Sequence, residues 1–372
     1  MADEYQKIVN ATYDHATDLE LLSNTQTRKL LVDIRKLQKD LKEQLRRIDP
    51  TSPTRPRTKQ KRLEQYLKIS DNLINTVYLK LGKTQDGYLE NLVKMEDQAT
   101  KNIVNNSLGD PVLTVNIDSN QLNILSRQTL AEGLPADSWF KNKLPNDFKS
   151  TMVRQLQTGI AQNETIQQLT SRINKRTDIE RRHVETLVRT TTNAVANKTR
   201  DQVYINNDDV IEGEEHLSTL DLKTSDICRA RDGLAWTIPD HKPIGGHGVR
   251  WRPFPLHFNE RSTWAPIFRN IDDITGVDTS GWSEGTRAAM DGPNKATDNY
   301  SQWFSKRNKS RQLEVLGPGK LKLYKANNLS MKDIVHADGS SLTIEQLTEK
   351  VNKKGFKPKP EVVEIPGKDE AA

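Results

Sequence analysis

Val184-Glu185-Thr186-Leu187-Val188-Arg189-Thr190-Thr191-Thr192-Asn193-Ala194-Val195 carries apolar or small side chains at 184, 187, 188, 191, 194 and 195. Steps of three and four gather these positions on one face of a helix, read from Arg181 to Tyr204, whose stripe suits packing under a sheet. After Tyr204 the pattern changes. Val210-Ile211-Glu212-Gly213 and His216-Leu217-Ser218-Thr219-Leu220 read as strand pieces, and connections rich in glycine and proline run on to Trp264. Helices packed on a small sheet make the fold class α+β.

Working upstream, Leu30, Ile34, Leu37, Leu41, Leu45 and Ile48 form one apolar stripe, which predicts a helix of about 25 residues. Pro50, Pro53 and Pro56 stop it. A second stripe through Leu63, Leu67, Ile74, Val77 and Leu81 ends near Gly82. Two amphipathic helices joined by a proline-rich basic connector predict an antiparallel hairpin in which each stripe covers the other. This hairpin is the core of a helical N-terminal arm assigned to residues 1–110, a packing element or a spacer.

Residues 83–105 continue helical, and Gly109-Asp110-Pro111 breaks the pattern. Val112, Thr114 and Val115 read as a short strand, and Ser119 as the cap of a helix through Leu130. Trp139-Phe140 reads as core. Phe148 to Leu156 and Ile166 to Ile173 supply two further helices, separated at Thr158-Gly159. The central domain is assigned to residues 111–265 and an extended C-terminal region to 266–372. Within that region 265–300 reads mostly as loop, with Gly276, Gly281, Gly285, Gly292 and Pro293. Lys353 to Ala372, with Pro358, Pro360 and Pro366 around Val362-Val363-Glu364-Ile365, reads as an extended tail that docks on another chain.

Composition narrows the classes. Hydrophobic residues make up 34% of 372 and the mean hydropathy is −0.77, lean for a compact protein of this length. Part of the chain is therefore expected to be extended or docked on a partner. The single cysteine, Cys228, excludes an intramolecular disulfide and suits a reducing cytoplasm. No apolar run approaches the roughly 20 residues that cross a bilayer, and Met1-Ala2-Asp3-Glu4 lacks a basic-then-apolar leader, so a soluble, non-secreted protein without membrane contact is expected.

The net charge of +6 is mild, but its distribution is not. Arg28 to Arg47 holds eight bases against three acids, and Arg55 to Arg62 holds five with none. Such a concentration suits double-stranded DNA, which attracts Lys and Arg through counterion release whatever its sequence. The candidate DNA contacts are Arg28, Lys29, Arg35, Lys36, Lys39, Lys42, Arg46, Arg47, Arg55, Arg57, Lys59, Lys61 and Arg62. The plainer alternative is a solvated helix face and a basic loop.

Three stretches fall in a fixed order: Leu187-Val188-Arg189-Thr190-Thr191; Leu220-Asp221-Leu222-Lys223-Thr224-Ser225-Asp226-Ile227-Cys228 with Asp232-Gly233 behind it; and Pro253-Phe254-Pro255-Leu256-His257-Phe258-Asn259-Glu260-Arg261-Ser262. Together they resemble the Mu F-like family of phage head morphogenesis proteins, also called minor head proteins, over roughly residues 150–265. The signature positions on this chain are Arg189, Thr190, Asp221, Thr224, Cys228, Gly233, His257, Asn259 and Arg261. Trp303-Phe304, Leu316-Gly317, Leu323-Tyr324, Leu329 to Val335 and Leu342 to Leu347 are similar to the tail segment that often follows this domain.

The resemblance implies a structural protein inside the capsid near the portal vertex, assembled in the host cytoplasm. It also implies contacts with portal protein, major capsid protein, packaged DNA and other copies of itself, and a part in head morphogenesis, packaging or ejection. Many family members carry Cys where this chain has Glu260, so no role resting on paired cysteines carries over. The same domain type also accompanies ADP-ribosyltransferase-like toxin modules, which keeps an enzyme, including a metal-dependent hydrolase, as the rival reading.

Residue chemistry alone leans towards structure. Asp221, Thr224, Ser225 and Asp226 are short polar side chains suited to closing a turn and capping a helix that starts near Ser225. Cys228 beside Ile227 then faces inward as a small hydrophobe. His241, His247 and His257 with Cys228 and Glu260 offer zinc-type ligands, but no spacing presets them on one turn, and the alternative is hydrogen bonding within turns. His257-x-Asn259 faintly resembles a metal-dependent nuclease motif, which Trp264-Ala265-Pro266 interrupts. Gly245-Gly246-His247-Gly248 lacks the Lys and helix of a phosphate loop. Neither a catalytic residue nor a metal or other cofactor is assigned.

Overall fold

A computed structural model of the chain describes residues 2–48, 56–127, 138–269, 286–292, 294–295, 298–336 and 339–354. Arg55 and the tail beyond Lys354 lie outside the described residues, as do 270–285 of the stretch read as loop.

Two long helices, α1 (Ala2–Ile48) and α2 (Pro56–Leu108), form the expected N-terminal pair. Leu30, Ile34, Leu37, Leu41 and Leu45 are almost fully buried against Tyr66, Ile74, Tyr78 and Leu81 in one cluster. The short helix α3 (Ser119–Ser126), a π-helical turn (Trp139–Lys143) and α4 (Leu144–Ala161) follow, then α5 (Ile166–Asn206). That last helix is the axis of the molecule: Gln38 bonds Asn174 and Arg189 bonds Asn24 from α1, while Tyr78 and Gln85 reach Glu180 and Thr191 from α2.

Two helices differ from the sequence reading for one physical reason. α1 is 47 residues long rather than about half that, because its earlier turns bury the polar Thr12, Ser23, Gln26 and Thr27 together with the aliphatic Ile8, Val9 and Leu19. Two of them have polar partners: Ser23 donates to the Glu20 carbonyl, and Gln26 donates to Gln85, whose own amide donates to Thr191, so one polar layer crosses all three helices. α5 is likewise continuous where two helices were read, since Arg176, Thr177 and Glu180 are buried between Ile173 and Val184. Its start is set by a capping box between Thr165 and Gln168.

Gly82 does not end α2. It is buried beside the Trp139 turn, where a Cβ would lie 3.4 Å from Lys141 Cγ and 3.6 Å from Phe140 Cβ. Glycine there costs helix propensity of about 1 kcal/mol, and the close approach offsets it. Thr158-Gly159 falls inside α4, which runs to Ala161. Val112 to Val115 is extended but not a strand, because the Thr114 and Val115 amides donate to the Asn207 side chain instead of a ladder. The cap of α3 is Asp118 rather than Ser119, in a capping box with Gln121. Gly109, with φ +79, ends α2 as expected.

After α5 come β1 (Ile211–Leu217), α6 (Asp226–Arg231), β2 (Ala235–Thr237), β3 (Pro243–Ile244) and β4 (Thr263–Phe268). The strands make an antiparallel sheet in the order β3-β2-β1-β4. Pro266 sits in β4, an edge strand where a missing N–H is tolerated. Trp236 and Trp264, both almost fully buried, pack at 5.8 Å between the sheet and Val203 and Tyr204 of α5.

A two-stranded ladder of β5 (Thr286–Arg287) and β6 (Asn294–Lys295) leads to α7 (Tyr300–Ser305), α8 (Lys309–Ala326) and α9 (Ile344–Lys354). Tyr300, Trp303, Phe304, Leu321, Met331, Ile334 and Leu347 form their own cluster, joined to the sheet side through Leu220 and Ala230. α8 kinks at Gly317. Among the described residues no helix is long and apolar enough to cross a membrane.

Candidate functional site

Most of the signature residues converge where α5, the loop before α6 and the loop before β4 meet. Asp221 closes the first loop: its Oδ1 accepts from the backbone of Lys223 and Thr224 at 2.9 Å each, and the Thr224 hydroxyl donates to the Thr219 carbonyl. The same carboxylate receives Arg261 in a two-point ion pair, at 2.6 and 3.0 Å. Burial pushes Asp221 up, but Arg261 and the loop donors outweigh it and hold the carboxyl below its usual range. Thr190 accepts from the backbone of Asn259 at 3.0 Å and so fixes that residue in a left-handed conformation, φ +58. Gly233, φ +77, lies in the left-handed region on the way into β2, where an added Cβ would come 3.3 Å from Asn299 Cβ.

Ser225 caps α6 and places Cys228 one turn in. Cys228 Sγ donates to Glu260 Oε1 at 2.9 Å and lies 3.3 Å from His257 Nε2, which also faces the Ser225 hydroxyl at 2.7 Å. His257 Nδ1 lies 2.8 Å from the Phe258 carbonyl, an acceptor only, so Nδ1 donates there and Nε2 is the nitrogen turned towards Ser225 and Cys228. Glu260 also accepts from the Leu256 amide.

A thiol beside an imidazole is the arrangement of a nucleophile and its base, but the electrostatics oppose it here. Burial first, and the Glu260 charge second, push the Cys228 thiol well above its usual pKa, so the thiolate is absent at neutral pH. Native Cys228 is therefore expected to resist a thiol reagent over the time in which the unfolded chain labels fully. Equal labelling rates for the two states would contradict the burial.

Beside this nest a cleft of about 340 Å³ opens between α1 and the loops, lined by Tyr13, Glu20, Arg189, Lys223, Asn259 and Arg261. Arg189 spans its wall, paired with Glu185 at 3.0 Å as well as with Asn24.

The histidines read as one group belong to separate places. His257 joins Cys228 and Glu260, whereas His241 lies with Asp201 and Glu214. His247 bonds the Ala235 carbonyl and packs edge-on against Trp236. Two other features escaped the sequence reading. Asp232, beside the signature glycine, holds Arg287 in a buried two-point ion pair, and Arg200 of α5 pairs with Glu96 of α2. Every partner in these sets is distant in sequence, so no spacing could have signalled them.

Of the basic candidates, Arg28, Lys29, Arg35, Lys36, Lys39, Arg46, Arg47 and Lys61 are exposed, and Lys42 and Arg62 are half-buried. Arg57 and Lys59 fall in the first turn of α2, with side chains outside the described residues. Arg28, Arg35, Lys39, Lys42 and Arg46 recur at intervals of seven, four, three and four, which lines them up along one side of α1 over about 27 Å. Arg47 alone of the α1 set has its charge answered on the same helix, by Glu43, among the described residues.

Residues 150–261 match the family described as Phage Mu protein F like protein, a span that takes in all the signature residues named above and covers less than a third of the chain. No curated protein and no solved structure gives a significant match.

Proposed function

We propose that the chain is a structural component of a phage head, placed inside the capsid near the portal vertex and acting in head morphogenesis without catalysing a reaction. One observation carries this reading: within the segment similar to Mu F-like proteins, signature side chains are spent on contacts inside the fold. Asp221 is committed to Arg261, Thr190 to Asn259 and Cys228 to Glu260. Catalysis requires groups presented to a substrate, whereas these groups fix loops on a helical body. The portal and major capsid proteins are the expected partners. Producing the chain together with both, then purifying heads, tests the reading. The chain should travel with the heads; recovery only in the free fraction would overturn it.

The basic side of α1 faces packaged double-stranded DNA in this arrangement. Binding should be indifferent to sequence and should weaken linearly on a log–log plot as salt rises, each phosphate contact adding about 0.9 to the slope. The quadruple variant R28Q/R35Q/K39Q/R46Q should lower that slope by about 3–4. An unchanged slope would mean that the side is merely solvated.

A further inference from the structure

The cluster of Asp201, Glu214 and His241 differs from the Cys228 nest in one respect: three of its polar atoms are left without partners. Asp201 comes from α5, Glu214 from the middle of β1 and His241 from the turn between β2 and β3. Asp201 and Glu214 are almost wholly buried. Each carboxylate has one oxygen satisfied, Asp201 Oδ2 by Lys198 at 2.6 Å and Glu214 Oε1 by the Trp251 indole N–H at 2.6 Å. The second oxygen of each, Asp201 Oδ1 and Glu214 Oε2, is buried with no hydrogen-bond partner, and so is His241 Nδ1.

Buried polar atoms without partners are rare, because each forfeits its hydration for nothing in return. Three of them together, with ligand atoms from the three residues within 4.8 Å of one another, have a common explanation in a group that is neither a side chain nor a backbone amide. The His241 ring is held for that role. It stacks on Trp251 at 3.7 Å with an 8° tilt, and its backbone is in the left-handed region at φ +53. Trp251 thus orients a carboxylate with its N–H and the imidazole with its face, as outer partners of metal ligands do.

We propose that Asp201, Glu214 and His241 bind a divalent transition-metal cation of the zinc type, which ties α5 to the sheet and to the β2–β3 turn. Two carboxylate oxygens and one imidazole nitrogen suit zinc or manganese, whereas calcium and magnesium favour oxygen alone. A 2+ ion answers the two carboxylates, of which Lys198 alone neutralises one. The Cys228, His257 and Glu260 group carries no such inference, since the thiol, the ring and the carboxylate are already satisfied by each other and by backbone.

The test uses the full chain stripped with a chelator, then loaded with zinc and desalted, with bound metal counted per chain. The wild type should hold one zinc ion more than H241Q and one more than E214Q, while C228S/H257Q should keep that ion. H241Q changes a partly exposed turn residue, so it decides the matter if E214Q fails to fold; helix content by circular dichroism reports this. Zinc should also raise the unfolding temperature of the wild type and leave H241Q unmoved. Equal zinc in wild type and H241Q would overturn the proposal, as would loss confined to C228S/H257Q. Magnesium binding that is the same in wild type and H241Q, without zinc binding, would do so too.

Discussion

Replacing Asp232 with alanine should cost about 3–5 kcal/mol of stability, and the C-terminal helices should be the first part to loosen. Asp232 is nearly fully buried at the end of α6, and its two oxygens bind Arg287, itself 2% exposed, at 2.6 and 3.0 Å. The same carboxylate accepts from the Ser218 and Tyr300 backbone amides. Removing it strands a buried guanidinium and two amides together, and the desolvation already incurred is no longer offset. Arg287 and Tyr300 belong to the segment that carries the Tyr300, Trp303 and Phe304 cluster, so limited proteolysis of the variant should cut within 286–354 before it cuts α5. The double variant D232A/R287M should recover part of the loss, because it removes the stranded charge. A loss below about 1 kcal/mol in D232A, the worth of an exposed pair, would show that Arg287 finds another partner.

The second large effect is at Glu96. This fully buried carboxylate of α2 pairs with Arg200 of α5 and receives His15 of α1 at 2.7 Å, while Arg200 also reaches Thr263 of β4. One pair thereby ties three helices to the sheet. Glu96→Ala should lower stability by about 3–5 kcal/mol at neutral pH. Burial pushes the Glu96 carboxyl up, but Arg200 and His15 outweigh it and leave it below its usual value. A carboxylate with a depressed folded pKa stabilises above its unfolded pKa and loses that contribution as pH falls through the folded value. The gap between wild type and E96A in denaturant unfolding should therefore be widest near neutrality and narrow on acidification. A gap independent of pH down to the acid transition would remove the electrostatic cause.

These two pairs also mark how far the sequence could be read. The α5 stripe, the Ser225 cap and the inward Cys228 are local patterns, and the structure has them where the sequence put them. The α1–α2 pairing followed from two aliphatic stripes. What stayed hidden were contacts in which a polar residue faces inward because a distant polar residue meets it. Gln26, Gln85 and Thr191 hid the true length of α1, and Arg176 and Glu180 hid the continuity of α5. His241 was grouped with the wrong histidines for the same reason: Asp201 and Glu214 reach it only through the helix-to-sheet packing that Trp251 and Trp264 complete.

The central claim is that the signature residues hold loops in place rather than act on a substrate, and the Asp221–Arg261 pair tests it most directly. A double-mutant cycle of D221A, R261A and D221A/R261A, read by unfolding free energy on the full chain, should give a coupling of about 0.5–3 kcal/mol. Incorporation into heads, measured on the same variants, should fall in step with stability. A coupling near zero, with variants as stable as the wild type yet absent from heads, would contradict the account and assign these residues to a contact or a reaction instead.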